Sequence, residues 1–180
     1  GFKWALVGFL LSQIGSFGTY SIATKLLGDS GIGVVATALT LVFWVDILLD
    51  LGMGASIIYE QEKGRSQRVE VAFTVNALVS TTLALSVFFG APLIDGFFGT
   101  GNVGMFRIVA LLIFAKGLNQ VPDALLKREM DFKRRSRADL IRSVGRFGIS
   151  TGLLLAGYGP VSMIIGVTIA EVAAVSFTWW

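Results

Sequence analysis

Asp46, Asp50, Lys116, Arg142, Arg146 and Glu171 each sit inside an otherwise apolar stretch of the sequence. A charge held in mid-membrane costs roughly 2.5–3.5 kcal/mol on insertion scales, so each of these residues needs either a partner or a task. Asp46 and Asp50 are four apart, on one face of a helix, and are candidates for a cation or proton site or for pairing with a buried cation. The competing reading of Asp50 is hydration near the membrane surface and a role in folding alone. Lys116, Arg142 and Arg146 are candidates for holding an anionic cargo, since ammonium and guanidinium groups place donors where negative charge sits. Arg142 lies about one turn into its stretch and can snorkel to the surface. Arg146 lies two turns in, and Glu171 can pair with any of the three. The sequence has no His and no Cys, which removes the commonest base, the commonest metal ligand and all thiolate chemistry. No cofactor, no metal and no enzymatic activity are expected.

The elements that carry these charges are apolar blocks. The 180 residues are 54% hydrophobic, with a mean hydropathy of +0.74, above the usage of a soluble domain. The blocks are of the length that an α-helix needs to cross about 30 Å of hydrocarbon, and they lack the alternation of a barrel strand. The spacing predicts an all-α integral membrane protein with six transmembrane helices over 4–26, 32–58, 71–89, 105–126, 138–156 and 161–180. Gly8, Ser12 and Ser16 in the first, and Gly148 and Gly152 in the fifth, have the spacing of closely packed helix faces. The third block reads as a run suited to facing lipid. In the fourth, Lys116, Asn119, Gln120 and Asp123 form a polar stripe, and Pro122 is expected to kink its end.

Cation distribution sets the orientation. The segment 125–137 holds Lys127, Arg128, Lys133, Arg134, Arg135 and Arg137 against Glu129 and Asp131, and 59–70 adds Lys63, Arg65 and Arg68. The loop expected over 90–104 holds Pro92 and several glycines and no cation. Both basic segments and both termini are therefore expected on the cytoplasmic side. The pI near 9.5 follows from that asymmetry and from attraction to anionic membrane lipid, so no nucleic acid is expected as a partner.

The motifs between the blocks resemble those of a known family. Leu-Leu-Gly-Asp-Ser-Gly-Ile-Gly (26–33), Asp-Leu-Gly-Met-Gly-Ala-Ser-Ile-Ile (50–58) and Ala-Pro-Leu-Ile-Asp-Gly-Phe-Phe-Gly (91–99) are similar to segments of the polysaccharide-exporting flippases of the MOP superfamily. Val-Pro-Asp-Ala-Leu-Leu-Lys-Arg-Glu-Met-Asp-Phe-Lys-Arg (121–134) resembles the basic loop of the colanic-acid-exporter-like branch, and Gly-Tyr-Gly-Pro (157–160) falls where that branch has a glycine-rich turn. The resemblance implies export of an undecaprenyl-diphosphate-linked oligosaccharide across a bacterial inner membrane, for surface or capsular polysaccharide. It further implies two lobes around a central cavity, of which this chain matches the amino-terminal one. A carboxy-terminal lobe is thus an expected partner, and a start at Gly1 with an end at Trp180 reads as a piece of a longer protein. None of the charged candidates is carried over from a family motif. Two other readings stay open: a multidrug or toxin antiporter of the same superfamily, disfavoured because no acid lies between Lys3 and Lys25, and a membrane scaffold or truncated lobe that does not transport.

Overall fold

The computed structural model describes residues 2–49, 65–129 and 131–180, and within them the side chains outside 2–9, 11, 12, 14, 16, 49, 65–68 and 132. These residues form the helices α1 (Phe2–Leu49), α2 (Arg65–Phe98), α3 (Val103–Arg128), α4 (Phe132–Leu155) and α5 (Val161–Trp179). Helix α1 is broken at Gly28, whose φ of 63° belongs to the left-handed region that glycine enters without a Cβ clash. Thr19 before the break and Asp46 after it line one cavity of about 260 Å³. A straight helix would hold them about 40 Å apart, so the two limbs fold back on one another at Gly28.

Helix α2 packs chiefly on α3, α4 on α5, α1 on α4, and α3 on α5. The α2–α3 and α4–α5 pairs are hairpins. Asn76 Nδ2 donates to the Gly117 carbonyl at 2.6 Å, and Ser150 faces the Met163 backbone at 3.5 Å. Between apolar helices in lipid no hydrophobic force separates protein from solvent, so close backbone approach carries the packing. A Cβ added to Gly117 would fall inside the Ser80 side chain, and one added to Gly166 inside Ser150.

Leu27, Ile32, Ile94, Val103 and Val161, which flank the turns at Gly28, Gly99–Gly101 and Gly157–Gly159, pack on one cluster around Phe106, Met105 and Ile164. The three glycine turns therefore share one end of the bundle. The basic end of α3 and start of α4 lie at the other, where Arg134 Nη2 donates to the Thr178 carbonyl at 3.1 Å and Phe73 meets Trp179 edge-on at 5.2 Å.

Among the described residues, four stretches are long and apolar enough to cross a membrane: Phe17–Leu48, Val69–Phe98, Val103–Arg128 and Val161–Trp179. The first contains the Gly28 break. Helix α4 is not among them, because Lys133, Arg134, Arg135, Arg137, Asp139, Arg142 and Arg146 fall within its 24 residues.

Several boundaries differ from the sequence reading. The second block was expected to run through 50–58, which lies outside the described residues, as does Asp50. The loop expected from Gly90 begins only at Gly99, since α2 continues through Pro92. Its stop is made by Gly99 at φ 64°, whose N–H donates to the Asp95 carbonyl at 2.7 Å, a left-handed helix end. The third block does not simply face lipid, because Asn76 and Ser80 are buried against α3. Nothing lies within 4 Å of the position a Cβ would take at Gly148; the close approach falls instead to Gly145, 3.1 Å from the Ala170 Cβ, and to Gly166. The surroundings of Gly8, Ser12 and Ser16 lie outside the described set.

Candidate charged cavity

The cavity opens between both limbs of α1 and helices α3, α4 and α5. Thr19 and Tyr20 come from the first limb, Asp46 from the second, Lys116 from α3, and Arg146 and Ser150 from α4. Asp46 and Lys116 are joined by a salt bridge, with 40% and 29% of their side chains exposed. They stand in the cavity wall, and neither is packed out of reach of a solute.

Arg146 is different. Its Nε is buried and has no hydrogen-bond partner among the described residues. No salt bridge joins it to any described acid. A buried N–H donor without an acceptor carries the desolvation cost of that group, so an anion in the cavity that reached this donor would be met favourably.

Arg142, one turn before Arg146, does not line the cavity. Its Nε donates to both Glu171 oxygens, at 3.2 and 3.1 Å, and its Nη1 to Asp139 at 2.8 Å. Glu171 on α5 is 6% exposed, so this fork of charge lies between α4 and α5, with 17% of the Arg142 side chain reachable. The structure thus brings Asp46, Lys116 and Arg146 to one cavity and sets Arg142 and Glu171 beside it.

The polar stripe on α3 disperses among several neighbours. Lys116 meets Asp46, Asn119 accepts from the Thr178 hydroxyl at 2.7 Å in a buried contact, and Asp123 pairs with Lys127 at 2.7 Å and Arg135 at 3.5 Å. Thr19, Tyr20 and Ser150 were not singled out in the sequence, where hydroxyl residues in apolar helices are common. Asp139 shares the Arg142 face of α4, three residues before it. Among the described residues no group of three acids could hold a metal ion.

Comparison with known proteins decides the family. Residues 22–180 match the model of the family described as polysaccharide biosynthesis protein. The chain belongs to that family. Within it, the chain is similar to the succinoglycan biosynthesis transport protein ExoT of Rhizobium meliloti (strain 1021), at 26% identity over 172 residues. The match covers 93% of this chain and 35% of that protein, so the chain spans about a third of the relative's length. No solved structure matches. The motif resemblance and the membership agree on a polysaccharide-exporter family, and they place a helical membrane protein in polysaccharide biosynthesis or transport.

Proposed function

We propose that this chain is the amino-terminal lobe of a flippase of the colanic-acid-exporter-like branch. The complete transporter moves an undecaprenyl-diphosphate-linked oligosaccharide from the inner to the outer leaflet of a bacterial inner membrane. The lobe crosses the membrane six times, with α4 as a charged pass shielded by its neighbours and both termini cytoplasmic. A second lobe closes the cavity from the other side. Family membership and similarity to the Rhizobium succinoglycan biosynthesis transport protein support export of a glycan.

The observation that carries the mechanism is Arg146, whose buried Nε has no hydrogen-bond partner among the described residues, in a cavity whose other cation, Lys116, is held by Asp46. A diphosphate entering the low-dielectric slab needs replacement for its lost hydration, and donors fixed in a cavity wall supply it. Arg146 is ready for the first contact. Lys116 becomes available when the anion draws it from Asp46, which then takes a cation or a proton.

The test uses the full-length protein in a host whose surface glycan depends on it. Arg146→Ala and Lys116→Ala are each expected to lower surface glycan about tenfold or more, because a charge-assisted hydrogen bond contributes about 1.5–3 kcal/mol. Lipid-linked precursor should accumulate while protein abundance on a blot stays near wild type. Normal export by both variants would leave the ion pairs as braces between helices and make the chain a scaffold.

A further inference from the structure

Glu171 is the most buried acid among the described residues that form salt bridges, and Arg142 occupies both of its oxygens. Arg146 lies one turn further along the same face of α4. Among the described residues the hydrogen bonds and salt bridge of Glu171 go to Arg142, and none to Arg146. The competing acid, Asp139, has a side chain 48% exposed and makes a much weaker demand for a partner.

A buried carboxylate that loses its partner is strongly destabilised, and the nearest remaining cation neutralises it. Without Arg142, that cation is Arg146. We propose that Arg142 is a positioning residue which keeps Glu171 occupied, so that Arg146 stays free for the anion in the cavity. The proposal rests on the cavity reading above and adds that Arg142 acts on transport without touching cargo. Charge at Arg142 matters only while an acid stands at position 171.

The consequence is a defect that can be reversed by a second substitution. A guanidinium held by Glu171 for about nine-tenths of the time binds an anion about tenfold more weakly. Removing the carboxylate as well releases it. Arg142 as a cargo ligand predicts the opposite, because loss of a ligand is not repaired by loss of its neighbour.

The experiment compares Arg146→Ala, Arg142→Ala, Glu171→Gln and the double variant Arg142→Ala/Glu171→Gln in the full-length protein. Surface glycan is measured at matched protein abundance, with thermal stability of each purified protein in detergent. Arg142→Ala should lower export about tenfold, and the double variant should bring it back to within about twofold of wild type. Glu171→Gln alone should export more than Arg142→Ala. A double variant as impaired as Arg142→Ala at equal abundance and stability overturns the positioning role. If Arg142→Ala does not accumulate, the double variant decides alone: export near wild type supports the proposal, and loss of export overturns it. Normal export by Arg146→Ala overturns the cavity reading itself, whereas a dead Arg146→Ala with no rescue in the double variant overturns the positioning role only.

Discussion

Lys116 and Arg146 share a cavity but differ in what holds them. The Lys116–Asp46 pair is part-exposed, and a pair of that kind contributes about 1 kcal/mol or less to stability. Asp46→Asn should therefore leave abundance and detergent thermal stability close to wild type. Its export should still fall, because the carboxylate that takes a cation when Lys116 leaves is gone. Wild-type export by Asp46→Asn at normal abundance would remove Asp46 from the transport cycle. The charges were legible in the sequence because each interrupts an apolar run. Their pairing was not. Lys116, Arg142 and Arg146 read alike as candidates for one anionic cargo, but α3 packs mainly on α2 and α5, and Arg142 turns to Glu171. Which helices neighbour each other is set by side-chain fit across the bundle, and loop length does not encode it.

At the scale of the helices, small residues decide where backbones meet. Asn76, Ser80, Ala84, Val87 and Ala91 are all buried along one face of α2, and their spacing is that of a helix stripe. That stripe was readable in the sequence, although the run around it looks uniformly apolar. The Gly148 and Gly152 spacing misled for a related reason, since a pair of small residues says that approach is possible without saying which face has a neighbour. Gly117→Ala should destabilise the α2–α3 hairpin by about 1–3 kcal/mol through overpacking on Ser80, read as a lower midpoint of thermal unfolding in detergent. Gly148→Ala, with no atom within 4 Å of the new methyl, should leave the midpoint unchanged or raise it. Equal losses in the two variants would show that the close approach at Gly117 is not what holds the hairpin.

For the whole molecule, the glycine turns gather at one end, with Lys25 and Arg107 the cations near them, and the basic ends of α3 and α4 lie at the other. Reporters fused after Arg65 and Arg135 should behave as cytoplasmic, and reporters after Gly101 and Gly159 as extracytoplasmic. Inverted signals at two of these positions would end the six-pass arrangement. The end-to-end polarity was legible in the sequence from cation distribution alone. The fold-back at Gly28 was legible as a glycine turn, while the cavity it creates depends on five helical segments converging. The proposed role of Arg146 is to serve an anionic lipid-linked glycan in that cavity. It is tested most directly with the purified full-length protein in proteoliposomes, by following transfer of a fluorescent polyprenyl-diphosphate oligosaccharide between leaflets with a membrane-impermeant quencher. Wild-type protein should move the lipid and Arg146→Ala should slow it about tenfold or more, with Arg146→Lys between them because an ammonium keeps the charge and loses the fork. Equal transfer by wild type and Arg146→Ala, or no transfer by the wild type, would contradict the claim.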